Sequence, residues 1–441
     1  MRRILLCIAS IACAWPVLAA DYVIVHAGRL MDIPGNSVKQ KASVIIRDGM
    51  IVTVEHGFVT TDSLLTDSTD TVETYDLSNH FVLPGLIDGH VHITDQLDAR
   101  NKLRRVEYSH PATALFGASN ARITLMAGFT TIRDLGGRGG DSIFALRDAI
   151  DQGYIPGPRI FAAGDVISPT GGHGQRHGYR DDVFAVIKNT GICDGADDCR
   201  RTVRNQVRRS ADQIKFVSTG GVLSETAAGT GQQFFDDEQK AIVETAHSLG
   251  RKVTAHAHNA DGINVALRAG VDSIEHGTFA NDESIRLFKS TGAYLVPTIL
   301  AGTTVAEIAG SENSFFTKAV REKAMRVGPQ LIENTRRAHR SGVRLAFGTD
   351  SYVSQHGDNA REFGLLVEAG LTPIEAIVTA TINGADNLGQ SDTLGTLESG
   401  KHADLIAVEG DPTADVDELL DVDFVMKAGV VYKHHADRSE P

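Results

Sequence analysis

The chain changes its hydrophobic period twice. Residues 21–82 alternate apolar and polar positions in short β-type runs, "YVIVHAGRLMD", "ASVIIRDGMIVTV" and "ETYDLSNHFVLPG", separated by Ala-Gly and Asp-Gly turns. The same style returns near the end, in "ADLIAVEGDP" and "VDFVMKAGVVYK". A chain that leaves a β-domain and comes back to it brackets a second domain. Residues 21–82 and 389–435 are therefore expected to form one composite β-sandwich domain around an insertion at 83–388.

The insertion has another rhythm. Short apolar strands end in Gly, His or Asp, and amphipathic helical stretches follow. "FTTIRDLG" precedes "DSIFALRDAIDQG", "QIKFVSTGG" precedes "DDEQKAIVETAHSLG", and "KVTAHAHN" precedes "ADGINVALRAG". With "VLPGLIDGHVHI", "PRIFAAGDVI", "VDSIEHG", "AYLVPT" and "VRLAFGTDS", eight strands can be placed. Eight alternating units at this length predict an α/β fold, a (β/α)8 TIM barrel. A doubly wound open sheet is the alternative. It is weakened because no GxGxxG turn follows the first strand.

Composition narrows the function. A length of 441 residues with 42% apolar content supports a large core and more than one domain. The formal charge of −13, with no basic stripe, argues against a nucleic-acid partner. The start, "MRRILLCIASIACAWPVLAAD", has two arginines, an apolar stretch too short for a confident membrane span, and small residues Val17 and Ala19. It reads as a signal peptide over about 1–19 or 1–20, giving an exported periplasmic or secreted protein with no membrane attachment after cleavage. Cys193 and Cys199 flank "DGADD". In an oxidising compartment they would close a small disulfide loop, and otherwise remain two free thiols.

A barrel places its chemistry at the C-terminal ends of its strands. Strand one ends in His90 and His92, which share a strand face. Strand four carries Lys215, strand five His256 and His258, strand six His276 and strand eight Asp350. One histidine at a strand end is usually an ordinary interior side chain. This many metal-ligating residue types at one rim point to a metal site. Lys215 inside an apolar strand is costly unless paired or neutral. A neutral amine can add carbon dioxide and become a carbamate able to bridge two cations. The plain alternative is an ion pair with Asp350 or Glu225.

The residues "PGLIDGHVHI", "IKFVSTGG", "VTAHAHN", "SIEHG", "FGTDS" and "GKHADLIAVEGDP" resemble the amidohydrolase superfamily over about residues 21–435. More narrowly, they resemble its imidazolonepropionase-related, Xaa-Pro dipeptidase-like carboxypeptidase branch, which includes ochratoxin-hydrolysing amidohydrolases. The resemblance implies two divalent metal ions, usually zinc. His90, His92 and Asp350 would hold the more buried ion and His256 and His276 the other. Carboxylated Lys215 would bridge them. His256 lies deeper in the barrel than His258 and matches the family position. His258 would then face substrate or support the site.

The implied reaction is attack of a metal-bridging hydroxide on an amide carbonyl, with Asp350 moving the proton. The substrate would be a small amide with a C-terminal amino acid: a dipeptide, an N-acyl-amino acid, or ochratoxin A, split to ochratoxin alpha and phenylalanine. His173, in the glycine-rich "SPTGGHGQRHG", is placed to stabilise the oxyanion, unless that stretch is only a surface loop. His177 and Arg180 are weaker candidates for a substrate carboxylate, and His356 for the pocket wall. Deaminases and cyclic-amide hydrolases of the superfamily are the alternative. They usually carry a glutamate three residues after the strand-five histidine, where this chain has Asn259. A non-catalytic binding relative would have lost ligands that this chain keeps. The resemblance also implies a homo-oligomer, up to an octamer.

Overall fold

The computed structural model describes residues 22–61, 71–137, 139–187, 189–225 and 229–434. The expected signal peptide lies outside the described residues. Four strands come first: β1 (Tyr22–Leu30), β2 (Lys39–Arg47), β3 (Met50–His56) and β4 (Val72–Pro84). Barrel strands follow: β5 (Leu86–Val91), β6 (Phe129–Asp134), β7 (Arg159–Ala162), β8 (Gln213–Val217), β9 (Lys252–Ala257), β10 (Ser273–His276) and β11 (Tyr294–Val296). The chain returns as β12 (Leu405–Val408), β13 (Phe424–Lys427) and β14 (Val430–Lys433).

Both chain ends build one seven-stranded sheet, in the order β14-β13-β12-β4-β1-β2-β3. Its two-residue period sorts side chains between two cores. Val82, Leu405, Ala407, Phe424 and Met426 join Val25, Ala27, Val44 and Ile51 in the sheet's own core. Their neighbours Phe81, Leu83, Ile406, Val408 and Val425 belong to the barrel core instead. The sheet also rolls over on itself. Ile51 N–H donates to the Lys401 carbonyl (2.8 Å) and Ala403 N–H to the Gly49 carbonyl (2.9 Å). The β3 edge thus meets the chain entering β12, which gives the sandwich-like enclosure.

The barrel strands form parallel ladders β5-β6-β7 and β8-β9-β10-β11. Short sets of backbone hydrogen bonds close the ring. Ile167 N–H donates to the Lys215 carbonyl (2.8 Å), extending β7 onto β8. Leu295 N–H donates to Arg344 (2.9 Å), and Asp350 N–H donates to His90 (2.7 Å). The eighth strand is therefore an extended segment, 344–351, rather than a regular strand. Side chains take its donors: Thr349 N–H goes to Asp88 Oδ1 (3.1 Å) and Ser351 N–H to Thr349 Oγ1 (3.0 Å). The left-handed backbone of Asp350, with φ of 56°, interrupts any continuous ladder there.

Helices cover the barrel. Two of them, Ile299–Gly310 and Lys318–Arg340, stand beside its mouth and cross closely at Gly302 and Gly328. A Cβ on Gly328 would lie 2.6 Å from the Gly302 carbonyl oxygen, so only glycine permits this approach. Cys193 and Cys199 are joined in a disulfide, with Cα atoms 5.0 Å apart, and both are buried against the barrel. Among the described residues, no helix is long and apolar enough to cross a membrane.

Candidate metal centre and active site

The strand ends converge on one cavity of about 400 Å³, lined by His90, His92, His173, Lys215, His256, His258, His276 and Asp350. The ligand-type residues fall into two groups. In the first, Asp350 Oδ1 lies 3.2 Å from His92 Nε2 and 3.6 Å from His90 Nε2. The outer bonds of each ring fix its proton. His92 Nδ1 faces the Gly136 carbonyl at 2.9 Å, so the proton sits on Nδ1 and Nε2 keeps a lone pair. His90 Nδ1 lies 2.8 Å from Glu275 Oε2, a contact outside hydrogen-bond alignment whose charge favours a proton on Nδ1. Nε2 of both rings and a carboxylate oxygen thus lie together, an arrangement that a shared cation would satisfy. Burial opposes charge on both His92 and Asp350. Even so, Asp350 raises His92 above the usual histidine value, and His90 and His92 hold Asp350 below the usual carboxylate range.

The second group is His256, His258 and His276, whose ring centroids lie 4.7 to 4.9 Å apart. His276 Nδ1 lies 2.6 Å from Thr298 Oγ1. That hydroxyl donates to the Pro297 carbonyl (2.7 Å), so it accepts from Nδ1 and leaves Nε2 with a free lone pair. His256 Nε2 faces the Gly220 carbonyl at 3.4 Å, leaving Nδ1 for a ligand. His258 Nδ1 meets Thr278 Oγ1 at 2.7 Å. Burial pushes His256 and His276 well below the usual histidine value and His258 down to about 3. All three are neutral imidazoles, the form a metal binds.

Lys215, on β8 and only 3% exposed, lines the same cavity and acts electrostatically on both groups. Among the described residues its amine makes no hydrogen bond or ion pair. Glu225, one expected partner, pairs instead with Lys102 at 2.8 Å. Burial lowers Lys215 to about 8, against the pull of Glu275 and Asp350. A buried, unpaired amine in the cavity that both clusters line suits a carbamate bridging two cations.

The glycine-rich loop reaches the site rather than the surface. The His173 ring lies 4.4 Å from His256, its Nδ1 is 2.5 Å from Ser224 Oγ, and its N–H donates to Gln233 Oε1 (2.9 Å). His177 lines the cavity, half-buried, with Nε2 3.0 Å from the Gly172 carbonyl. Arg180 does not line the cavity; it is exposed and paired with Asp182 at 2.7 Å. His356 is buried behind the wall, with Nε2 2.9 Å from the Asp95 carbonyl.

Two functional residues escape sequence reasoning. Glu275 is fully buried. Oε1 accepts from Arg133 Nη2 (2.8 Å), Ser273 Oγ (2.9 Å) and Thr254 Oγ1, while Oε2 approaches His90. Arg133, 1% exposed, also donates to Ser273 Oγ (3.2 Å). The only signal was an acid beside His276 in "SIEHG", and strand alternation assigns that acid to the opposite face. His276 adopts φ of 71°, which breaks the alternation, so Glu275 and His276 both meet His90.

A closed parallel barrel with two clusters of ligand-type side chains at its C-terminal mouth defines the class: a barrel enzyme with a candidate metal centre. The chain belongs to the amidohydrolase family, which it matches over residues 81–432, and is a hydrolase of that metal-dependent family. It is 33% identical to ochratoxinase of Aspergillus niger, covering 94% of this chain and 87% of that protein. A solved Xaa-Pro dipeptidase with methionine bound in its active site is similar at 39% identity. Its TM-score is 0.87, with 93% of this chain and 100% of that one covered. A prolidase complexed with N-methylphosphonate-L-proline is similar at 28% identity and TM-score 0.83, covering 94% of this chain and 100% of that one.

Proposed function

We propose that this chain is a two-metal amidohydrolase that cleaves the amide bond to a C-terminal amino acid, in a dipeptide or an N-acyl-amino acid. The observation that carries the reading is the unpaired, buried Lys215 in the cavity that both ligand groups line. His90, His92 and Asp350 would hold one divalent ion, His256 and His276 the other, and Lys215, carboxylated on Nζ, would bridge them. An imidazole-rich set suits zinc. Bound there, the ions supply a nucleophile from water near neutral pH and polarise the scissile carbonyl.

The protein groups do the rest. Asp350 accepts a proton from the attacking water and returns it to the leaving nitrogen. With the Ser224 hydroxyl donating to His173 Nδ1, the proton of His173 sits on Nε2. That is the tautomer needed to donate to a developing oxyanion. Burial, assisted by His258, keeps His173 well below the usual histidine value and therefore neutral. Asn259 stands where a deaminase would place its proton-shuttling glutamate. It is committed elsewhere, capping the helix Ala260–Ala269 by accepting from Asp261 N–H at 2.7 Å. This favours amide hydrolysis over deamination. The ochratoxinase and dipeptidase relatives support the same bond class, and ochratoxin A falls within it.

The deciding experiment treats the purified protein with zinc and bicarbonate. It then measures amino acid released from a panel of dipeptides, N-acyl-amino acids and ochratoxin A. Release from at least one substrate class is expected. A protein that holds two metal ions and releases nothing from any of them overturns the reading.

A further inference from the structure

We propose that Arg105 grips the free carboxylate of the amino acid that is released. The inference rests on the amide-hydrolase reading and adds the group that selects the substrate's end. The sequence put forward Arg180 for this task, but Arg180 lies outside the cavity lining and is paired with Asp182. Of the other cations lining the cavity, Lys102 is engaged by both oxygens of Glu225 at 2.8 Å, Arg176 has an interaction of its own, and Lys215 belongs to the proposed metal site. Arg105, on the helix Asn101–Glu107, is different. Its one contact among the described residues is a single Nη2 approach of 3.3 Å to Asp95 Oδ2, and its Nε has no hydrogen-bond partner. A guanidinium carries five donors in a planar fork that matches a carboxylate, so most of its capacity is unspent.

Its place also fits. Asp95 N–H donates to the His92 carbonyl at 3.0 Å, so Arg105 stands one residue away from the turn that follows the first metal group. Its charge helps to depress His177, behind the larger effect of burial, which puts it within electrostatic reach of the glycine-rich loop. Val222, Val305 and Leu331 form an apolar part of a wall that also carries the acids Asp95, Asp98 and Glu225. A metal floor, a forked cation and an apolar wall suit an apolar acyl group joined by an amide to an amino acid with a free carboxylate.

The test compares N-benzoyl-phenylalanine with N-benzoyl-phenylalanine amide, in which the carboxylate is capped. The wild-type protein is expected to prefer the free acid. In Arg105→Gln, kcat/KM for the free acid should fall about ten- to a hundredfold, mainly through KM, as expected for losing one charged hydrogen-bonded contact. The preference for the free acid should collapse with it. Arg105→Lys should recover part of the loss, and melting temperature and bound metal confirm that each variant is intact. A preference that survives Arg105→Gln overturns the assignment, as does a wild-type protein that cleaves both compounds equally; either leaves the amidase reading standing. A wild-type protein that cleaves neither compound overturns the assignment, and the amidase reading falls with it only where the wider panel also yields no amino acid.

Discussion

Replacing Glu275 by alanine should damage stability and metal binding separately, because one carboxylate serves two buried partners. Oε1 neutralises Arg133, and the two side chains are 0% and 2% exposed. Removing the acid leaves a guanidinium buried without its counter-charge, a loss of about 3–5 kcal/mol. A chain with roughly 400 ordered residues has an unfolding entropy near 0.8 kcal/mol/K, so the metal-free protein should melt about 4–6 °C lower. Oε2 lies against His90 Nδ1 and favours a proton there, and removing such a support should weaken the proposed metal binding about 10- to 100-fold. Thermal melting in chelator reads the first effect and zinc titration the second. Glu275→Gln should separate them, since its amide oxygen still accepts from Arg133 but the charge facing His90 is gone. Joint replacement, Arg133→Met with Glu275→Leu, should regain stability and not zinc affinity. A Glu275→Ala protein melting within 1 °C of wild type would refute the buried-pair account; unaltered zinc affinity would refute the tautomer account.

Lys215→Ala should lose most bound metal and nearly all activity, because it deletes the bridge; near-normal zinc by elemental analysis, with normal turnover, contradicts the carbamate role. Gly221→Ala should lower kcat by about 10²-fold with metal retained, the scale expected for a 1 Å misplacement. The new Cβ would fall 2.2 Å from His173 Cε1 and push the ring off His256; unchanged kcat removes His173 from the chemistry. Glu362 gives a pH test. Burial raises its carboxyl from 4.5 to about 8, although the Ile299 and Leu300 N–H groups it accepts oppose the shift. The folded state thus holds a proton that the unfolded state has released. The associated stability is present below about 4.5 and is lost as pH rises through 8, at about 1.4 kcal/mol per unit. Melting of the metal-free protein from pH 5 to 9 should fall more steeply in wild type than in Glu362→Gln. Parallel curves would show that Glu362 is ionised throughout.

The positions of the ligand-type residues were legible because strand ends can be read from the change of hydrophobic period, and a barrel collects those ends at one mouth. What could not be read was local backbone reversal. Alternation puts Glu275 and His276 on opposite faces, and no residue type in "IEHG" announces that a histidine will adopt a left-handed conformation. Arg105 and Arg180 were equally unreadable in their directions, since one sits on a short helix and the other just before one, and loops set where both helices point. The chosen arginine pairs outward with Asp182, and the unchosen one reaches the cavity.

The same reversals explain how the site can exist before a metal arrives. His276, Thr298 and Asp350 are non-glycine residues with φ of 71°, 50° and 56°, each a conformation costing about 1–3 kcal/mol. Thr298 and Asp350 are held by buried acidic side chains that bond the neighbouring backbone. Glu362 accepts the N–H groups of Ile299 and Leu300, directly after Thr298. Asp88 accepts from His90 N–H (3.0 Å), Thr349 N–H (3.1 Å) and Asn359 Nδ2 (2.7 Å), clamping the strand ends that carry His90 and Asp350. These bonds offset strain at Thr298 and Asp350, so the ligand geometry is expected to be a property of the folded chain. Chelation should then abolish turnover while leaving the near-ultraviolet circular dichroism and cooperative melting in place. A metal-free protein that loses its tertiary signal would show instead that the ions hold these reversals.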